Sequence, residues 1–342
     1  MKNFFNISSG EGRKNDFKRL AAAWHNKGIS LASLGRYEEA IACFDKAIEI
    51  YPRHAGAWYK KGISLHSLGR HDEAISCCDK SLEIDPRCTE AWSVKGISLA
   101  SLGRYEEAIS CYDKALEIDP RNANAWGIKD MDLNSLGRHE EAIGCYDKVL
   151  EIKPRHAGAW SNKGIILASL GRFEEAIGCY DKALEIDPRH EGTWCKKGIS
   201  LQSVGRHEEA IGCYDKALEI NPRNASAWST KGYSFASLGQ HEMAISCFDK
   251  TLEIDPRNAD VWCIKGISLA SLGRHEEAIG CYDKAIEIDQ RDANAWYNKA
   301  LAEEKAGRPQ EAAKSYHKFI ELAPTQYAQR IAYAQQRLKE LQ

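Results

Sequence analysis

The chain carries nine tryptophans, Trp24, Trp58, Trp92, Trp126, Trp160, Trp194, Trp228, Trp262 and Trp296, and every interval between them is 34 residues. A period this regular restricts the fold more than any composition could. It marks one small supersecondary unit used repeatedly, each copy too small to cover its own apolar face and covered by its neighbours instead. The length of 342 residues would suggest two globular domains at about 150 residues each; the period replaces that expectation with a linear array. Counted from each Trp, Lys follows at the third position in all nine units and Gly at the fourth in seven. Gly returns at the eleventh position and Ala at the sixteenth without exception. Phe or Tyr stands at the twentieth except at Cys78, and Pro at the twenty-eighth except at Gln290.

Each unit reads as two helices. From Ala21 to Leu34, the residues Trp24, Gly28 and Leu31 fall at helical spacing, and Leu34 leads into a Gly-Arg turn. Glu38 and Glu39 open the second helix, where acidic groups suit the positive end of the helix dipole. Its apolar stripe is Ala40, Ile41, Phe44, Ala47 and Ile48. Pro52 ends it, because the residue before a proline is pushed out of helical geometry. Small Gly28 and Ala40 let the paired helices approach, while Trp24 and Phe44 fill the space around them. An all-α stack of eighteen repeat helices is expected.

These residues resemble the tetratricopeptide repeat, whose signature is W-x2-L-G-x2-Y, then A-x3-F, then P, over 34 residues. The match places nine repeats in register at 21–54, 55–88, 89–122, 123–156, 157–190, 191–224, 225–258, 259–292 and 293–326. Residues 1–20 are read as an N-terminal extension, partly flexible, and 327–342 as a C-terminal capping helix. Two positions depart from the signature. Lys stands for Leu before the Gly, and Leu mostly stands for Tyr seven after the Trp (Leu31, Leu65, Leu99, Leu133, Leu167, Leu201, Leu269). The Lys is expected to lay its methylene stem along the neighbouring helix and keep its ammonium in water. The resemblance implies a helix-turn-helix repeat solenoid wound as a right-handed superhelix, the first helix of each pair lining an inner groove. At the far end Thr325 is the expected N-cap of a final helix whose apolar residues are Tyr327, Ile331, Leu338 and Leu341. At the near end Phe17, Leu20 and Trp24 extend the first helix back to Asp16, and Ser8–Lys14 reads as flexible. Phe4 and Phe5 either cap the first repeat or belong to something else.

Composition removes several function classes. With 47 basic and 49 acidic residues the net charge is −2, against a surface built to grip nucleic acid. No apolar run approaches the roughly 20 residues of a membrane helix, and Met1–Ile7 is too short for a signal peptide. A cytoplasmic protein with free thiols is expected for the twelve cysteines. Eight of them (Cys43, Cys77, Cys111, Cys145, Cys179, Cys213, Cys247, Cys281) share one repeat position. Equivalent positions in stacked helix pairs lie on the order of 10 Å apart, beyond disulfide reach. They read as small packing residues. His71, His139, His207, His241 and His275 replace an aromatic found at Tyr37, Tyr105 and Phe173, which makes them packing positions rather than metal ligands. No C-x-x-C pair, phosphate loop, nucleophile elbow or H-E-x-x-H occurs. The chain is read as no enzyme, with no cofactor and no metal.

What remains is surface. The resemblance implies that positions two before and one, five, eight and nine after each Trp face a ligand. The fifth-position series, Ile29, Ile63, Ile97, Met131, Ile165, Ile199, Tyr233, Ile267 and Leu301, is wholly apolar. The second-position series runs Asn26, Lys60, Val94, Ile128, Asn162, Lys196, Thr230, Ile264, Asn298, in which Asn, Lys and Ile recur every fourth unit, as duplication of a four-repeat block would leave it. The residues singled out as a peptide-binding face are Tyr59, Lys60, Ile63, His66, Ile97, Met131, Asn134, Asn162, Ile165, Lys196, Ile199, Gln202, Tyr233 and Ile267. Chaperone-binding members of the family grip a C-terminal carboxylate with Lys and Asn; the corresponding inner positions here hold Ile and Ser. An apolar stripe flanked by hydroxyls and amides suits an extended or helical peptide with hydrophobic anchors. Simple packing of the isoleucines between helices is the other reading.

A non-catalytic interaction scaffold follows, monomeric, with a protein or peptide partner and neither nucleic acid nor membrane. Two alternatives stand beside it. One is a regulatory or targeting arm of a multi-subunit enzyme, as sugar-to-protein glycosyltransferases carry. The other is a solenoid that self-assembles through its ends, which the polar final helix opposes at the C-terminus. One residue breaks the local pattern: Asp130 stands where other repeats hold Gly or Ala, with Asp132 two residues on. A carboxylate in that tight contact is buried or forces the helices apart, at a cost either way. The fourth repeat is therefore the expected weak point.

Overall fold

The structure, a computed structural model, describes residues 10–341, with side chains from Asn15 onward. Phe4, Phe5 and Ser8 lie outside the described residues. The chain divides into two compact units, Met1–Ile166 and Leu167–Gln342. The first holds α1 Gly10–Ser33, α2 Tyr37–Ile50, α3 Ala55–Ser67, α4 His71–Ile84, α5 Thr89–Ser101, α6 Tyr105–Ile118, α7 Ala123–Ser135, α8 His139–Ile152 and most of α9 Ala157–Ser169. The second holds α10 Phe173–Ile186, α11 Glu191–Ser203, α12 His207–Ile220, α13 Ala225–Ser237, α14 His241–Ile254, α15 Ala259–Ser271, α16 His275–Ile288, α17 Ala293–Lys305, α18 Pro309–Leu322 and α19 Ala328–Glu340. Among the described residues all regular structure is helical, and no helix is long and apolar enough to cross a membrane.

Within a pair, the reversal is made at glycine. Gly35 has φ 75°, Arg36 N–H donates to the Leu31 carbonyl at 3.0 Å, and Gly35 N–H donates to Ala32 at 3.0 Å. These are the two bonds of a Schellman ending, whose left-handed residue is strained for any L side chain. All nine eleventh-position glycines repeat it, with φ between 73° and 79°. The next first helix is capped from its own loop: Asn122 Oδ1 accepts from Ala125 N–H at 3.1 Å, and His54 Nδ1 accepts from Ala57 N–H at 3.2 Å.

The paired helices meet at the fourth-position glycine. A Cβ added at Gly96 would sit 2.4 Å from Tyr112 Cε1, and one at Gly266 would sit 2.6 Å from Tyr282 Cε1. Tyr112, Tyr214, Tyr282, Phe44 and Phe248 are fully buried there. The tryptophans work at the joint between pairs, where Trp92 and Trp126 flank Ala115, Leu116 and Ala125. Trp58 Nε1 donates to the Pro52 carbonyl at 3.0 Å, and Trp296 makes the same bond to Gln290 at 3.2 Å. What this bond needs is a carbonyl, which explains why Gln290 can stand for proline.

Three expectations change. From the second repeat onward the third-position Lys does not leave its ammonium in water, whereas Lys27 of the first repeat is exposed as expected. Lys61 Nζ donates to Asp45 of the preceding pair at 2.6 Å, Lys95 to Asp79 at 2.6 Å and Lys231 to Asp215 at 2.5 Å. The Lys side chains are only 14–23% exposed where they pair across repeats. Each ammonium also lies over its own tryptophan, as Lys231 does over Trp228 at 5.3 Å. The stem is held by the ring, so the head reaches the acid of the second helix beneath it. At the near end α1 begins at Gly10, so the stretch from Gly10 to Lys14, read as flexible, is helical. At the far end Thr325 opens a one-turn 3₁₀ segment, Thr325–Tyr327, after an extended Pro324, and Tyr327 takes the N-cap place of α19 without a side-chain bond. Ala334 and Leu338 of α19 are buried against Tyr316 and Phe319.

Candidate functional site

Successive first helices touch one another, α1 with α3, α3 with α5 and α5 with α7 in unit one, α11 with α13 and α15 with α17 in unit two. Second helices make no contact of that extent among the described residues. Helix pairs stacked this way are closest on the first-helix side, and that side carries the expected groove residues.

Helical geometry then divides its apolar residues. Two positions along a helix turn through about 200°, so the fifth and seventh positions after each Trp face opposite ways. Leu65, Leu99, Leu133, Leu201 and Leu269 at the seventh are at most 2% exposed. At the fifth, Ile165 is 37% exposed, Ile199 46%, Ile267 41% and Met131 64%. Ile63 and Ile97 are half-buried, and Tyr233 sets its ring edge-on to Phe248 with centroids 5.8 Å apart.

The eighth-position residues are tied down instead. His66 Nδ1 lies 3.1 Å from Ser98 Oγ, Asn134 Oδ1 lies 2.8 Å from His139 Nδ1, and Tyr214 donates to Gln202 Oε1 at 3.1 Å. Lys60 Nζ lies over the Tyr59 ring at 5.0 Å.

Depressions gather a minority of these residues. One of about 600 Å³ in unit one brings together Tyr59, Lys60 and Ile63 of α3 with Glu90 of α5 and Asn124 of α7. A second, of about 380 Å³, lies between α7, α8 and α9 and includes Asn162. A third, of about 310 Å³ in unit two, includes Ile267 and Leu301. His66, Ile97, Met131, Asn134, Ile165, Lys196, Ile199, Gln202 and Tyr233 lie outside all three. Gly127, which lines the second depression, falls at the expected ligand-facing position one after Trp126, whereas sequence reasoning missed Tyr146, Lys153 and His156 there. A signal was there: Lys153 occupies a repeat position held by Asp85, Asp119, Asp187, Asp255 and Asp289 elsewhere.

Repeat four buries two carboxylates with no ion pair among the described residues, whereas the buried Glu303 of repeat nine meets Lys299. Asp130 is 1% exposed and Asp132 6%. Burial, with the Asp132 charge adding to it, pushes the Asp130 carboxyl up to about 7, although the Tyr146 hydroxyl lies within hydrogen-bonding reach. Burial likewise raises Asp132, opposed by the hydroxyl of Tyr112. One oxygen of each, Asp130 Oδ1 and Asp132 Oδ2, has no hydrogen-bond partner among the described residues. The cysteines are all free, and burial holds the Cys145 thiol up at about 12, far from a reactive thiolate. Among the described residues no group of three or more His, Cys, Asp or Glu side chains is placed to hold a metal ion.

Stacked helix pairs with a lined inner face define a helical-repeat interaction protein. The tetratricopeptide repeat profile matches residues 21–54, 55–88, 89–122, 157–190, 193–224 and 225–258. Related tetratricopeptide profiles match 133–156, 247–280, 266–307 and 293–326. The chain belongs to the tetratricopeptide repeat family, a class of protein-interaction scaffolds. Among solved structures it is similar to the C-terminal part of a TPR repeat-containing protein from Cytophaga hutchinsonii, with 16% identity, a TM-score of 0.62, and coverage of 69% of this chain and 97% of that one. A tetratricopeptide repeat protein from Parabacteroides merdae is similar at 17% identity with a TM-score of 0.53, covering 74% of this chain and 98% of that one. YrrB, described as a TPR protein with an unusual peptide-binding site, is 26% identical over 54% of this chain and 95% of its own, with a TM-score of 0.48. None of the curated proteins compared matches the chain.

Proposed function

We propose that this chain is a non-catalytic scaffold, monomeric and cytoplasmic, that holds an extended segment of a partner protein along its first-helix face. One observation carries the reading: the apolar fifth-position side chains stay exposed at Ile29, Met131, Ile165, Ile199 and Ile267 and only half-buried at Ile63 and Ile97, while leucines two residues on are buried. Side chains needed only to pack helix on helix belong with the leucines. A succession of exposed isoleucines instead leaves apolar area that binding would cover, each anchor contributing about 1–2 kcal/mol when fully buried. Serines at the ninth position border the stripe, and Ser67, Ser101 and Ser203 spend their hydroxyl protons on their own helices. The stripe is thus left free to meet ligand side chains.

The test is a paired capture experiment. The intact chain and a variant with Ile63, Ile97, Ile165 and Ile199 changed to Glu serve as baits once circular dichroism shows equal helicity. Loss of specific partners from the variant is expected; identical partner sets would overturn the reading.

A further inference from the structure

The depression between α7, α8 and α9 owes its existence to departures within one repeat. Gly127 offers no side chain where other repeats place Tyr59, Ser93, Cys195 or Tyr297. Asp130 stands where Gly would let the tyrosine ring lie flat, and Tyr146 is accordingly 6% exposed against 0–1% for Tyr112, Tyr180, Tyr214 and Tyr282. The opening that results is about 380 Å³, room for one side chain.

Its polar lining is one-sided. Asn124, Lys153, His156 and Asn162 border it, and no carboxylate does. His156 Nδ1 accepts the Ala159 N–H at 3.0 Å, so the ring proton sits on Nε2, and that nitrogen is a donor. Lys153 is exposed and forms no ion pair among the described residues. The larger depression beside it shares Ala123, Asn124, Ile128 and Lys153 and continues to Lys60. That larger depression carries both signs, Glu90 and Asp119 beside Lys60, Arg121 and Lys153, so the surplus of donors is confined to the smaller one. Lys60, like Lys153, has no carboxylate partner among the described residues. The buried Asp130 behind Tyr146 does not oppose an incoming anion fully, because it keeps its proton up to about pH 7.

We propose that this pocket receives the side-chain carboxylate of an aspartate or glutamate within an extended peptide, with Lys153 as its counter-ion. The inference rests on the reading that the first-helix face holds a peptide, and it adds the chemistry of the segment held. The first helices that border the pocket also carry fifth-position residues, Met131 on α7 and Ile165 on α9, with Ile97 on the preceding α5. A chain lying on them passes the pocket rather than ending there, which selects a side chain over a C-terminus. Charge complementarity of this kind sets specificity more than raw affinity.

The experiment pans random linear peptides, displayed with their C-termini blocked by fusion, on three forms of the full chain. These are the unaltered protein, Lys153→Asp, and the pair Ile63→Glu with Ile165→Glu. Lys153→Asp restores the residue five other repeats carry at this place, so it is expected to fold. Peptides selected on the unaltered chain should carry one acidic residue between apolar ones. Exchanging that residue for Gln should weaken binding about tenfold, and Lys153→Asp should abolish the distinction. Selected peptides that need the isoleucines yet bind equally well with Glu or Gln overturn this inference alone. Failure to select any peptide, or peptides indifferent to the isoleucine changes, overturns the groove reading and this inference with it.

Discussion

At Gly96 a single methyl group is the difference between a formed and a strained contact. Added there it would meet Tyr112 Cε1 at 2.4 Å, and the ring is fully buried with nowhere to turn. Gly96→Ala should therefore lower stability by about 1–3 kcal/mol. Gly144, inside α8, has open space where a Cβ would go, so Gly144→Ala should raise stability by about 0.5–1 kcal/mol through helix propensity. Urea unfolding of the two variants side by side checks both, and equal effects would contradict the contact geometry. Asp130 is the residue whose pH dependence can be signed. Its carboxyl, 3.8 when unperturbed, is raised to about 7 by burial. The folded state thus holds a proton that the unfolded chain releases, so this group's own contribution to stability is greatest below about pH 4 and declines up to about pH 7. The decline amounts to at most about 4 kcal/mol. Asp130→Gly should remove it and raise the unfolding midpoint at pH 7; parallel losses in both proteins between pH 4 and 7 would show that another group is responsible. The conflict at Asp130 was legible in the sequence because seven repeats show what belongs there. The route by which it is relieved, a slightly exposed Tyr146 beside an open pocket, lies in the packing of α7 on α8, which the sequence does not spell out.

A helix pair's internal geometry was the most readable part of the molecule. Gly35, Ala40 and Phe44 each have a local reason for their position, a left-handed turn or a close approach, and such reasons repeat with the period. The joint between pairs was less readable. Lys61 looked like a solvated lysine because its partner, Asp45, sits sixteen residues earlier on a helix whose facing was unknown from sequence alone. The constant spacing from Asp45–Lys61 to Asp283–Lys299 was nevertheless in plain view. Pairing of this kind is testable by a double-mutant cycle on Lys95 and Asp79, which meet at 2.6 Å. With Lys95 23% and Asp79 46% exposed, a coupling of about 0.5–1 kcal/mol is expected. A coupling of zero would leave the tryptophan stacking as the lysine's whole contribution. Among the groove residues, the outward-facing fifth position was implied by the family resemblance, with packing between helices as the other reading, and its members are exposed or half-buried. The engagement of His66, Asn134 and Gln202 by neighbouring side chains was not legible, since polar residues at a helix surface carry no mark of their partner.

An array whose joints are all alike should tolerate the loss of one whole unit, and the fourth is the one to remove. Excising residues 123–156 joins Asn122 directly to Ala157. Asn122 Oδ1, which now caps α7 through Ala125 N–H at 3.1 Å, would meet Ala159 N–H at the same spacing and cap α9. Trp160 Nε1, which now donates to the Pro154 carbonyl at 3.1 Å, would find Pro120 six residues before it. Asp113, now paired with Lys129 at 2.5 Å, would face Lys163. The cap, the indole bond and the ion pair of the two old joints thus re-form at the new one. The two buried carboxylates, the misplaced glycine and the open pocket leave with the excised unit. Stability in repeat arrays is close to a sum of unit and nearest-neighbour contributions, so the loss of one costly unit should not lower the midpoint of thermal unfolding. The shortened chain should keep its helicity per residue by circular dichroism and unfold at an equal or higher temperature. A lower midpoint would mean that repeat four stabilises its neighbours despite its buried acids. Hydrogen exchange on the intact chain tests the same point independently, because amides of α7 should exchange faster than those of α5 if the acids make repeat four the first to open.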